Sequence, residues 1–326
     1  MLAMKMPAKN RVILPEGLKK QVKQPRVSVI ILNWNGLDNT LECLDSVKRI
    51  AYPNFETIVF DNGSDNHDEK AIIQARFSGF AHVMGGEKNV GYSGFNVAID
   101  YTLKNSSPDY ILLLDNDTVV DRNCLDELVK VMTTDSQIGA VAAVIYCYDE
   151  PDEIQQSLSS RVNFWIGDVI GMDWVTKLLK IRPTLKDNLP KEMKQTGFWC
   201  ILIKRECFEK VGLIDRSYFF TWEGIDYCEK LRREGYKIVY APKAKIWHKW
   251  RTAFGVDGRT EYYHPRNRFK FMRRYGTRLQ NISFSLFFFG IHFWLAIVYY
   301  LVWHRRPDVS RSFIRGALDG VLGRYE

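Results

Sequence analysis

The stretch Tyr110-Ile-Leu-Leu-Leu-Asp-Asn-Asp117 decides the fold. An unbroken apolar run this short suits a strand buried on both faces, and it stops abruptly at paired aspartates. Upstream, Val27-Ser-Val-Ile-Ile-Leu32 is a second such run, broken by Asn33-Trp-Asn-Gly36. Phe55 to Phe60, ending in Asp61-Asn-Gly-Ser64, and Phe80 to Met84 read as further strands. Helical spacing fills the intervals: Leu41, Leu44, Val47 and Ile50 behind a cap at Asp38-Asn39-Thr40, then His67 to Phe77, then a helix to Leu103. Downstream come a helix from Arg122 to Met132 and a strand from Ile138 to Tyr146. Strands alternating with helices mean βαβ units, so the chain is expected to be α/β, with a Rossmann-like, mostly parallel sheet and flanking helices.

Residues 149–194 are polar, irregular and Pro-bearing, as expected of a loop. Regularity resumes with a strand at Gly197 to Ile203, helices at Glu206 to Val211 and Glu223 to Glu234, a strand at Tyr236 to Tyr240 and a basic helix from Asn267 to Tyr275. Over 326 residues, 46% hydrophobic and 26% charged content is near the globular average and excludes disordered, collagenous and disulfide-scaffold chains. The six cysteines include no C-x-x-C pair, which points to thiols in a reducing compartment. Residues 1–25 are basic, carry Pro7, Pro15 and Pro25, and lack a signal peptide's apolar core, so a flexible cytoplasmic arm is expected.

A net charge of +8 and an aromatic fraction of 13% call for an explanation. Much of it is local. Ile282 to Trp303 holds 22 residues without a charge and nine aromatics, long enough to cross a bilayer. Arg268, Lys270, Arg273, Arg274 and Arg278 precede it, and Arg305, Arg306, Arg311 and Arg315 follow. A membrane span or deep insertion is expected, against a buried core or oligomerisation helix. Phe313, Ile314, Leu318 and Val321 among arginines suit an amphipathic tail on the membrane surface. Nucleic acid is disfavoured, because the basic residues flank an apolar segment and form no aromatic-interleaved groove.

In an open parallel sheet, ligands bind beyond the carboxyl ends of the strands. Asn33, Asn35, Asp61, Gly85-Gly86 and Asp115-Asn116-Asp117 fall there. Two aspartates two apart can reach one cation through oxygen ligands, which favours Mg²⁺ or Mn²⁺ shared with substrate phosphates, although the same residues also make plain turns. The glycines between Gly85 and Gly94 permit close backbone approach to a ligand, but form neither a P-loop nor a G-x-G-x-x-G fingerprint. Glu223 and Asp226 are three apart at a helix start and share a face, which serves either chemistry or the helix dipole. His248 lies beyond the strand Tyr236 to Tyr240, where it is either a ligand or structural.

In order and spacing these clusters resemble the family 2 glycosyltransferases of GT-A fold, particularly the rhamnosyltransferase-like branch. The resemblance spans Arg26 to Tyr275. It rests on Val27-Ser-Val-Ile-Ile-Leu-Asn-Trp-Asn-Gly36, Val59-Phe-Asp-Asn-Gly-Ser64, Asn89-Val-Gly-Tyr-Ser-Gly-Phe-Asn96 and Leu114-Asp-Asn-Asp117. Thr196-Gly197, Val211-Gly-Leu-Ile-Asp215, Trp222-Glu-Gly-Ile-Asp226 and Tyr263-His-Pro-Arg-Asn267 complete it. The resemblance implies a donor-nucleotide site at Asn33, Asn35, Asp61, Asn89, Gly91, Asn96, Asp115, Asn116 and Arg266. It implies a divalent cation, Mn²⁺ or Mg²⁺, on Asp115, Asp117 and His248. It also implies direct, inverting transfer from a nucleotide-diphosphate sugar to a glycan or polyprenyl-linked acceptor, with a carboxylate base. One departure stands out: the family usually carries its base where this chain has Gly224, which leaves Glu223 or Asp226 for that role, with Glu223 favoured as base and Asp226 as its support.

The expected layout is an arm at 1–25, a catalytic domain at 26–278 and a membrane-associated region at 279–326, with catalysis on the cytoplasmic side of the cell membrane. A homo-oligomer stays open. The competing readings are a catalytically inactive binding subunit, suggested by Gly224, and a sugar nucleotidyltransferase, which would more often show a Gly-rich Lys/Arg signature after its first strand.

Overall fold

The computed structural model describes residues 24–155, 161–170, 185, 188–249 and 258–325. Most of the expected arm, and part of the stretch 149–194, lie outside the described residues. Four parallel strands form one half of a nine-stranded sheet: β1 (Val27–Asn33), β2 (Phe55–Asp61), β3 (Ala81–Gly85) and β4 (Tyr110–Asp115), ordered β3-β2-β1-β4. The sheet continues through β10 (Cys200–Lys204), antiparallel to β4, then β6 (Ile138–Cys147) and β11 (Lys237–His248), which are parallel to each other. The short strands β5 (Thr118–Val120) and β9 (Lys191–Met193) pair antiparallel with β11. The sheet is thus mixed: six of its nine strands run the same way, as the alternation required, and β5, β9 and β10 run against them.

Side chains alternate between two cores, because successive strand residues point to opposite faces. Val27, Val29 and Ile31 of β1 pack with helices α1 (Leu37–Val47), α2 (Asp68–Arg76) and α4 (Cys124–Met132) on one face. Ile30 packs with α3 (Gly94–Asn105), α5 (Arg205–Val211) and α6 (Glu223–Arg233) on the other. The expected cap on α1 does not form: the helix follows Gly36, and the Thr40 hydroxyl donates to Asn33 inside the protein. The last long strand was expected to stop at Tyr240, before Pro242. It instead runs on to His248, its register with β6 slipping between Ala241 and Lys245, a bulge that accommodates the proline.

A third core is built from aromatic residues of the C-terminal part. Helix α7 (Gly258–Tyr275) packs against α8, a continuous helix from Arg278 to Trp303 with two π-helical turns, and against α9 (Pro307–Leu322). Phe269 meets Phe284 and Phe288 at ring-centroid distances of 4.7 and 4.9 Å, and Phe313 of α9 closes on Phe293 and Tyr300. The hairpin β7 (Arg161–Asn163)–β8 (Asp168–Ile170) covers one end: Arg268, fully buried, donates to the Ile166 and Gly167 carbonyls and lies over the Phe284 and Phe288 rings. The tail was expected to lay its apolar face on a membrane. Of that face, Phe313 is buried and Ile314 and Val321 pack partly on the third core, while Leu318 is exposed.

Candidate active site

The site forms at the carboxyl edge of the sheet. Asp115 ends β4 opposite Leu32, and Asp61 ends β2 opposite Asn33. Past Asp115 the chain turns through Asn116-Asp117 into β5, whose Thr118 pairs with His248 at the end of β11. This pairing sets Asp117 Oδ1 3.1 Å from His248 Nε2, while His248 Nδ1 is 3.1 Å from Gln155 Oε1. One ligand atom each from Asp115, Asp117 and His248 lie within 4.8 Å of one another.

Electrostatics favour a cation here. Burial and the neighbouring Asp117 charge push the Asp115 carboxyl up to about 7, although the Tyr92 hydroxyl donates to it at 3.0 Å. Burial disfavours the His248 imidazolium, but the Asp117 hydrogen bond and the charges of Asp117 and Asp115 outweigh it and raise its pKa. Two mutually repelling carboxylates beside an imidazole form an O,O,N donor set that fits Mn²⁺ or Mg²⁺.

Asn33 organises the nucleotide side of this edge. Fully buried, its amide nitrogen donates to Asp61 at 2.8 Å, Glu69 at 3.0 Å and Ser64 at 3.2 Å. Its carbonyl oxygen accepts from Thr40 at 2.7 Å and Asn116 at 3.2 Å. Asn35, in the left-handed region at φ 50°, pairs its side chain with both the backbone N–H and the carboxylate of Asp65. Asn89 caps the turn into α3 by accepting from Asn62 and from the Gly91 N–H. Gly91 is required there: at φ +65°, a Cβ would stand 1.9 Å from the Phe219 carbonyl oxygen.

Two expected donor-site residues sit among protein partners instead. The Asn96 side chain, 1% exposed, is doubly bonded to the Ile214 backbone. Arg266 donates to Ser217 O, Asn267 Oδ1 and Arg324 O, tying α7 to the C-terminus. Contact of either with a nucleotide would require exchange of these bonds.

The carboxylates of α6 differ sharply. Thr221 and Trp222 hold left-handed φ of 64° and 68°, which turns the chain into the helix. Glu223 is the first helical residue, and burial and the Asp115 charge push it up to about 8, against its own N–H and that of Gly224. Its Oε2 is buried with no hydrogen-bond partner among the described residues. Asp226 is bound by Tyr275 Oη at 2.9 Å, Arg274 at 3.3 Å and Lys230 at 3.5 Å. At Gly224 a Cβ would lie 2.7 Å from Thr196 O and 2.9 Å from Gly197 Cα, so this backbone admits no side chain there.

Residues 25–274 match the family described as Glycosyltransferase like family 2. The chain belongs to glycosyltransferase family 2. Within it, the chain is 22% identical over 306 residues to the low-salt glycan biosynthesis hexosyltransferase of Haloferax volcanii, covering 91% of this chain and 92% of that one. It is 28% identical over 204 residues to the rhamnosyltransferase WbbL of Escherichia coli, covering 60% and 72%. An uncharacterized protein of Sinorhizobium fredii is 28% identical over 247 residues, 69% of this chain and 24% of its own length. The chain therefore spans about a quarter of that relative.

Solved structures show the GT-A-like fold. The Pyrobaculum calidifontis mannosyltransferase PcManGT, in complex with GDP-Man and Mn²⁺, aligns with a TM-score of 0.57 at 14% identity over 93% of this chain and 89% of that one. GalNAc-T7 with UDP, GalNAc and Mn²⁺ aligns at 0.59 and 16% over 84% and 58%.

Several residues of this family 2 site escaped the sequence reading. Tyr92 lies inside the Asn89–Asn96 motif and could have been flagged by it. Ser64, which donates to Asp61, likewise lies inside the Val59–Ser64 motif, whereas only the fold brings Glu69 to Asn33. Gln155 precedes undescribed residues in an irregular stretch and carries no sequence signal at all.

Proposed function

We propose that the protein moves a sugar from a nucleotide-diphosphate sugar to a hydroxyl of a glycan or lipid-linked acceptor at a membrane, with inversion at the anomeric carbon. The observation that carries this reading is the buried Glu223 carboxyl, its Oε2 without a hydrogen-bond partner among the described residues and its charge coupled to Asp115 of the Asp115–Asp117–His248 cluster. Asp115, Asp117 and His248 would hold the divalent cation, with Gln155 orienting the imidazole. When bound, Mn²⁺ or Mg²⁺ offsets the charge on the leaving diphosphate. Glu223 takes the proton of the acceptor hydroxyl as that oxygen bonds to the anomeric carbon and the bond to the diphosphate oxygen breaks. A base near pKa 8 matches a neutral working pH, and such catalysis is worth roughly 10²–10⁴-fold.

The hexosyltransferase and rhamnosyltransferase relatives, and the nucleotide and Mn²⁺ bound by the structural neighbours, support this reading. Catalysis on the cytoplasmic face, where nucleotide sugars are made, fits the same chemistry. The Gly224 departure does not favour an inactive subunit, since Glu223 offers a carboxylate one residue earlier.

The test incubates the detergent-solubilised full chain with Mn²⁺ and a panel of UDP-, GDP- and dTDP-sugars, reading nucleoside diphosphate release. One donor should turn over, and Asp115→Asn should lower that rate by at least about 100-fold. Turnover unchanged in Asp115→Asn, or no turnover with any donor and a membrane extract, would overturn the proposal.

A further inference from the structure

Helix α8 is long and apolar enough to cross a membrane, yet it lies lengthwise along α7. Its inner face is fixed lengthwise: Phe284 packs on Phe269 near one end, and Tyr300 hydrogen-bonds Glu261 near the other. The chain that follows it folds straight back. Gly316 of α9 sits so close to α7 that a Cβ would be 1.9 Å from the Tyr262 carbonyl oxygen, and Gly320 approaches the Arg266 Cα. Tyr262 bonds Asp319 at 2.9 Å, and Arg266 reaches the Arg324 carbonyl at 3.0 Å. A single span would put α9 and the catalytic domain on opposite faces of the bilayer and break all of these contacts.

The outer face of α8 is uncovered and continuous. Leu286 is 70% exposed, Trp294 60%, Leu295 59% and Val302 68%. No charged residue occurs between Leu279 and Trp303, whereas exposed arginines stand at 278 and 305, with Arg311 and Arg315 exposed on α9. Trp303, 81% exposed, closes the strip at its far end. An apolar strip edged by cations and tryptophans matches a bilayer interface with anionic headgroups.

We propose that α8 lies in the plane of one leaflet, docking the catalytic domain onto an anionic membrane surface without crossing it. This deepens the membrane location in the function proposed above, and rests on that reading for what the membrane delivers.

The experiment uses the full chain with epitope tags at both termini, floated with phosphatidylcholine vesicles with and without phosphatidylglycerol. Expected are stronger binding with phosphatidylglycerol, release by alkaline carbonate, and both tags accessible on the outside of sealed vesicles. Leu286→Glu combined with Leu295→Glu should cut vesicle binding by at least about tenfold, since both side chains are exposed and contribute only to the interface. Donor turnover in detergent, retained by this variant, shows that it is folded. Tags on opposite sides, carbonate-resistant insertion, or binding unchanged in the variant would each overturn the proposal. Vesicle binding by a chain that turns over no donor would overturn the catalytic reading alone.

Discussion

Asp117 and His248 meet at 3.1 Å only because β5 pairs backwards against the end of β11, placing Thr118 opposite His248. Three residues of β5 thus bring together two candidate metal ligands 131 positions apart.

The Gln155 amide contacts the other imidazole nitrogen, so it fixes which nitrogen faces Asp117. Gln155→Leu should weaken Mn²⁺ activation about tenfold with little change in turnover at saturating metal, as is typical when a ligand's supporting hydrogen bond is lost. His248→Ala should weaken it further. A metal titration of donor hydrolysis reads both, and unchanged half-saturation in Gln155→Leu would remove its role.

Glu223 bears on activity and stability in opposite directions. Glu223→Gln should lower transfer by roughly 10²–10⁴-fold. With its folded pKa raised to about 8, the residue's contribution to stability is full below the unfolded value near 4.5 and is lost as pH rises through 8. The Gln variant should therefore melt several degrees higher than the native protein at pH 8 or above, with the gap closing below pH 4.5. Thermal melts across this range check it. A gap that widens toward acid would contradict the burial of an unpaired carboxyl.

Restoring the family's second carboxylate should do harm. The nearest neighbours of a Cβ at 224 are backbone atoms of Thr196 and Gly197, which cannot rotate away. Gly224→Ala should cost about 1–3 kcal/mol, and Gly224→Asp at least as much, with activity reduced. Denaturant melts and transfer assays would show it; a more active Gly224→Asp would refute the steric account.

Asp215 joins α7 to the loop before α6, accepting from Lys270 at 3.0 Å, Arg274 at 2.9 Å and Ser217. Burial opposes its ionisation, but these hydrogen bonds and cations hold its carboxyl well below the usual range. Its stabilisation is therefore present above the unfolded pKa near 3.9 and is lost as pH falls through the lower folded value. Asp215→Asn should cost about 2 kcal/mol at neutral pH, a charge-assisted hydrogen bond's worth, and less in strong acid.

The parallel half of the sheet was legible because β1, β2 and β4 are buried on both faces and read as near-continuous apolar runs. The metal cluster was legible in Asp115 and Asp117, whose spacing is local. What escaped depends on partners distant in sequence. β5 has only three residues and exists by pairing with β11; β11 runs through a proline that a single strand could not predict. The composition of residues 282–303 announced an apolar helix, but hydropathy cannot tell that α7 and α9 cover one side of it. Asn33 was singled out from its place at a strand end, but its five polar partners, Asp61 among them, come from separate segments that only the fold brings together.

The docking of α9 into α7 through Gly316 and Gly320 also fixes an order of events during synthesis. Domains fold from the N-terminus as they emerge, so the two sheet-flanking cores can assemble while the ribosome is still working. The aromatic third core follows, because Phe313 and Ala317 are made after every residue of those two cores. Until α9 emerges, α7 and the inner face of α8 lack their cover. The nascent protein is therefore at its stickiest between the emergence of α8 and that of α9, and a stop codon ahead of Pro307 would leave that surface permanently open.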